Sequence, residues 1–181
     1  SGKSRLARWC HEMSSRKGGR FEAIDLSNVP ETLQLAEMTG WKKGAFTDAV
    51  QDTPGAIARA EGGTLFIDEI DKLSFKAQAG LLHILEERKY RPLGERGIER
   101  DANVRFLIGT NTDLQAAVRA QRFREDLYYR IHVLPVKVPP LCERRDEIVP
   151  WARYMLQRRH NKTPSASIRP DAEALLQEQP W

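Results

Sequence analysis

The chain has 181 residues, a net charge of +4 and an isoelectric point near 9.2. That length suits one α/β domain, with or without a small appendage, and the mild basicity with both signs mixed describes a solvated surface rather than a nucleic-acid face. Cys10 and Cys142 are too few and too far apart for a disulfide framework, no run nears the ~18 apolar residues of a bilayer span, and the charged start is unlike a signal peptide.

The chain opens Ser1-Gly2-Lys3-Ser4 and continues in a helical pattern over residues 3–14. Gly-Lys-Ser is the back half of the phosphate-binding loop G-x-x-x-x-G-K-[ST]. In that motif glycine lets backbone N–H groups approach phosphate, lysine supplies a cation, and the serine hydroxyl ligates Mg²⁺ ahead of a helix amino terminus. The first half of the motif and the strand before it are expected to be missing. Residues 21–26 read as a short strand. Pro30 reads as the start of a helix through Met38. Residues 41–54, rich in Gly, Lys, Thr and Asp, read as a loop that leaves Ala45 and Phe46 exposed. A short helix is expected over residues 54–60.

Gly62-Gly63-Thr64-Leu65-Phe66-Ile67-Asp68-Glu69 is the most telling segment. An apolar run without alternation predicts a strand buried on both faces, and the two acids then stand at its carboxyl end, where open parallel sheets bind ligands. One acid can hold hydrated Mg²⁺ while its neighbour orients a water. Alone, the pair reads first as a strand leaving for solvent. With Lys3 and Ser4 roughly sixty residues earlier it has the pattern of a P-loop ATPase. Ser74 is placed to cap a helix reaching Glu87, whose Ala77, Leu81, Leu82 and Leu85 recur at helical spacing and are assigned to the core. Residues 90–101 read as a charged loop. A second apolar strand, residues 104–109, ends in Thr110-Asn111. Helices are expected over residues 114–119 and 123–129, and a last strand over residues 132–138, stopped by Pro139-Pro140. The remainder is helical only: residues 148–159, a polar linker through Ser167, then residues 171–179. His11, His83, His132 and His160 form no metal spacing and read as surface or packing residues.

Several blocks together resemble one family. Gly44-Ala45-Phe46-Thr47-Asp48-Ala49 resembles the GAFTGA signature. The segment from Glu61 to Ile70 resembles the family's Walker B, and Arg122-Phe123-Arg124-Glu125-Asp126-Leu127-Tyr128-Tyr129-Arg130 and Pro139-Pro140-Leu141 resemble two further blocks. On these residues the chain is similar to the central AAA+ ATPase domain of bacterial enhancer-binding proteins, the sigma-54-dependent transcription activators.

The resemblance implies a P-loop α/β fold, with a five-stranded parallel sheet between helices over residues 1–141 and a partial helical lid over residues 142–181. It implies Mg-ATP hydrolysis in a ring, usually a hexamer, that remodels sigma-54 RNA polymerase in the cytoplasm. DNA contact and signal reception, in a two-component or other signal-responsive regulator, would lie outside this chain. Gly2, Lys3 and Ser4 would bind nucleotide, and Ser4 and Asp68 would hold Mg²⁺. Glu69 would activate water, Thr110 and Asn111 would form sensor I, and Arg124 and Arg130 would be arginine fingers reaching a neighbour's ATP. Residues 44–49 would contact sigma-54.

Three positions depart from the family pattern. Asp48 replaces a glycine of GAFTGA. Asp25 replaces an asparagine that would link the catalytic glutamate to nucleotide state; an aspartate cannot donate that amide bond, and two carboxylates repel. Trp41-Lys42-Lys43 replaces a sequence with an acidic residue. The competing reading is an AAA+ regulatory or oligomerisation module uncoupled from sigma-54.

Overall fold

The computed structural model describes residues 2–159 and 167–179. His160, most of the predicted linker and the closing Pro180-Trp181 lie outside the described residues. The chain divides into two compact units, Lys3–Pro135 and a smaller one that takes Val136 onward together with the first two residues. The division falls between Pro135 and Val136.

In the larger unit the elements run α1 (Lys3–Glu12), β1 (Phe21–Asp25), α2 (Gln34–Thr39), β2 (Gly40–Trp41), β3 (Thr53–Pro54), α3 (Ala56–Arg59), β4 (Thr64–Asp68), α4 (Phe75–Glu87), β5 (Lys89–Tyr90), β6 (Arg100–Asp101), β7 (Arg105–Ile108), α5 (Leu114–Arg119) and α6 (Glu125–Ile131). β4 lies between β1 and β7, parallel to both. Its first four residues are buried, as an apolar strand covered on both faces requires. The register pairs Asp25 with Asp68 and Ile67 with Ile108, so all three strands end at one level. α1 leans on β4 through buried His11, whose Nδ1 lies 2.9 Å from Thr64 Oγ1. Arg59 of α3 reaches Glu22 of β1 at 2.7 Å. α4 is capped by Ser74, which accepts from Ala77 N. Ala77, Leu81 and Leu85 are buried as expected and Leu82 only partly, while Ile84 completes the stripe.

Several expectations are corrected. The sheet has three strands among the described residues, not five. Residues 132–138 form no strand: Pro135 removes a ladder donor, and Val133, Leu134 and Val136 stand 80%, 83% and 67% exposed. Pro30 does not begin a helix; its carbonyl accepts from Leu33 N in a turn, and α2 starts only at Gln34. The supposed loops of residues 41–54 and 90–101 are each closed by a two-residue antiparallel ladder, β2–β3 and β5–β6. The first ladder needs its glycines: a Cβ on Gly55 would fall 2.2 Å from Gly40 N.

The second unit is helical. α7 (Ile148–Arg159) and α8 (Pro170–Glu178) pack together, with Arg153 Nε donating to Glu173 at 3.0 Å. No helix among the described residues is long and apolar enough to cross a membrane.

Candidate functional site

The level strand ends gather polar groups from distant parts of the chain. Ser4, in the first turn of α1, donates its hydroxyl to Asp68 Oδ2 at 3.2 Å. Asp68 Oδ1 accepts from Glu69 N at 3.1 Å. Just past the strand, Glu69 takes a left-handed backbone, φ 55° and ψ 46°, an uncommon state for a residue with a Cβ, which turns the chain sharply. Its Oε1 accepts from Asn111 Nδ2, and Asn111 Oδ1 accepts from Lys3 Nζ. The amide of Asn111 therefore joins the Lys3 cation to the Glu69 carboxylate. Gly109 makes the approach possible, since a Cβ there would meet Asp68 Oδ1 at 2.6 Å and Phe66 Cζ at 2.8 Å.

Two residues that sequence reasoning missed support this cluster. Asp71 accepts from Thr110 Oγ1 at 2.6 Å and from Thr112 Oγ1 at 3.0 Å. Burial would raise its carboxyl, but these two hydroxyls and a backbone N–H hold it below the usual aspartate value of 3.8, so it is ionised at neutral pH. The signal was present in the run Thr110-Asn111-Thr112, an amide between two hydroxyls. Gln78, fully buried in α4, donates to Leu73 O and Arg122 O and accepts from Arg124 N. It ties the turn after Glu69 to the arginine segment.

The other expected site residues are placed as follows. Gly2 has φ +88° and falls in the other compact unit. Thr110 keeps its hydroxyl on Asp71. The Asp25 carboxylate accepts from Ser27 N, Ser27 Oγ and Asn28 Nδ2, capping the turn that follows β1, and the Ser27 bonds lower its pKa. Arg124 forks onto Asp126 at 3.0 and 2.7 Å, and Arg130 donates to Leu85 O at 3.0 Å. Both arginines are thus engaged within their own chain.

Residues 44–49 form a separate feature. Gly44 N donates to Ala49 O and Ala49 N to Phe46 O, which closes a tight loop. Its base is fastened by Asp52, which accepts from Lys43 N at 2.8 Å and pairs with Lys42 at 2.9 Å; Lys42 also lies 3.6 Å from Glu95. Thr47 and Asp48 are exposed. Phe46 is not: half-buried, it meets Trp41 edge-on at 5.6 Å.

The sequence profile of the sigma-54 interaction domain matches residues 1–137. The chain belongs to that family. It is 38% identical over 183 residues to the DNA-binding transcriptional regulator NtrC of Rhizobium meliloti, covering 100% of this chain and 37% of NtrC. It is 42% identical over 157 residues to the sigma54-dependent transcriptional activator SfnR of Pseudomonas putida, covering 87% of this chain and 43% of SfnR. Among solved structures it resembles NtrX of Brucella abortus in complex with ATP, with a TM-score of 0.84 and 28% identity over 99% of this chain and 41% of NtrX. The sigma-54 interaction domain here is therefore a P-loop AAA+ fold, a parallel sheet flanked by helices, and it spans about two fifths of these relatives' length.

Proposed function

We propose that this chain is the ATPase domain of a sigma-54-dependent transcription activator, one that hydrolyses Mg-ATP to remodel sigma-54 RNA polymerase. The observation that carries the reading is the meeting of Lys3, Ser4, Asp68, Glu69 and Asn111 at the carboxyl end of one parallel sheet. Membership of the sigma-54 interaction domain family and the likeness to ATP-bound NtrX support it.

The donor chemistry fits the groups the reaction needs. Ser4 Oγ and Asp68 Oδ2 are hard oxygens 3.2 Å apart, and Mg²⁺ takes one or two such protein ligands while keeping waters and phosphate oxygens. Bound Mg²⁺ would neutralise charge on the phosphates. Lys3 places an ammonium at the same point. Glu69 would orient a water and accept its proton, and Asn111, already between Lys3 and Glu69, would sense which partner has been drawn away. Arg124 and Arg130 would act on a neighbouring subunit of a ring, where guanidinium forks supply roughly 10³–10⁵ in rate. The purely helical unit would be part of a lid. Residues 44–49 would grip sigma-54, with Phe46 as the apolar anchor and Thr47 as a polar one, despite the charge of Asp48.

The test is Glu69→Ala in the full-length protein. ATP binding should persist, and hydrolysis should fall by two or more orders of magnitude, as for the loss of a positioned base. Wild-type turnover in this variant would remove the assignment.

A further inference from the structure

The loop that carries Asn111 is held from outside itself. Thr110 and Thr112 flank Asn111, and both hydroxyls donate to the two oxygens of one carboxylate, Asp71 Oδ1 at 2.6 Å and Oδ2 at 3.0 Å. Thr110 Oγ1 also accepts from Thr112 N at 3.0 Å, so three consecutive residues close around that carboxylate. The Asp71 side chain is only 8% exposed, which limits competition from water. Asp71 itself stands in the short turn Ile70–Lys72 that follows Glu69, and Ile70 N donates to Gly109 O. The two strand ends are thereby fastened on both sides of Asn111.

We infer that Asp71 is a positioning residue, whose grip on Thr110 and Thr112 presents the Asn111 amide with its oxygen toward Lys3 and its nitrogen toward Glu69. The orientation is not interchangeable. Lysine can only donate and an ionised glutamate can only accept, so a flipped amide would lose both bonds. An exposed asparagine in a free loop would sample many rotamers; one whose backbone is pinned on both sides samples few. The amide can then exchange Lys3 for another donor without losing Glu69. This inference rests on the ATPase reading for its consequence in turnover, though not for its geometry.

Two measurements test it. In nucleotide-free protein, the side-chain amide resonance of Asn111 should move toward its random-coil position in Asp71→Ala and in the Thr110→Val, Thr112→Val double variant. It should stay in place in the Thr110→Ser, Thr112→Ser variant, which keeps both hydroxyls. An unmoved resonance in Asp71→Ala, with melting showing the fold intact, overturns the inference whether or not the protein hydrolyses ATP. In steady-state hydrolysis, Asp71→Ala should lower kcat about ten- to a hundredfold with KM changed little, the scale of a misplaced group near the reacting atoms. Adding Asp71→Ala to Asn111→Ala should then cost little more, because one acts through the other. Losses that multiply would show Asp71 acting independently of Asn111 and overturn the inference. Absence of hydrolysis in the wild-type protein would instead count against the ATPase reading and leave the resonance to decide this one.

Discussion

At the scale of single residues, the site depends on close approach as much as on charge. Gly109 lets the Asp68 carboxylate and the Phe66 ring pack onto bare backbone. Gly109→Ala should destabilise the domain by about 1–3 kcal/mol, the range for overpacking, and should weaken Mg-dependent ATP binding more than Mg-free binding. Thermal melting and calorimetric titration with and without Mg²⁺ check this; an unchanged Mg²⁺ dependence would count against a role for Asp68 as a ligand. Lys3, Ser4, Asp68, Glu69 and Asn111 were all legible in the sequence because each stands at the end of an element with a clear pattern. The bonds of Asp25 lie beyond its motif position: its carboxylate takes three donors within the next three residues, and local bonds of that kind leave no signature in a motif. Asp71 was overlooked because its partners lie 39 and 41 residues away.

At the scale of elements, long periodic or wholly apolar segments were legible and short ones were not. α5 has the bounds that its pattern predicts, β4 ends at Asp68 as expected, and α4 begins where its serine cap requires. The two-residue ladders β2–β3 and β5–β6 carry no period, since two residues cannot alternate. The strand expected over residues 132–138 shows the converse: its apolar residues suited a strand, but hydrophobicity without a ladder partner makes none. α4 joins the site to the arginine segment through Gln78. Gln78→Leu keeps the volume but leaves Arg124 N, Leu73 O and Arg122 O without that partner in the interior. A loss of about 1–3 kcal/mol is expected in denaturant unfolding, from buried polar groups left unmade. A neutral result would mean that water or a rearranged backbone satisfies them.

At the scale of the whole molecule, the proposed ring asks Arg124 and Arg130 to serve a neighbour, although both are bonded within their own chain. The Arg124–Asp126 pair is exposed, and exposed pairs hold weakly, so exchanging it for a phosphate is a small step. Mixing Arg130→Ala subunits with Lys3→Ala subunits should restore part of the hydrolysis that each lacks, because some interfaces then combine two intact groups. No recovery in a mixture shown to co-assemble would mean that the arginine acts within one chain or not at all.

The edge-on contact between Phe46 and Trp41 also makes the loop observable. An indole touching a half-buried ring emits at shorter wavelength than one facing water, so Trp41 is a built-in optical probe of where Phe46 lies. If Phe46 leaves to engage sigma-54, the emission of the protein should change when sigma-54 is added with a non-hydrolysable ATP analogue. Trp9, more than half exposed, should contribute little to that change. The Trp41→Phe variant should lose the response while retaining the binding, and an identical response in that variant would trace the change to another tryptophan and leave the Phe46 movement without support.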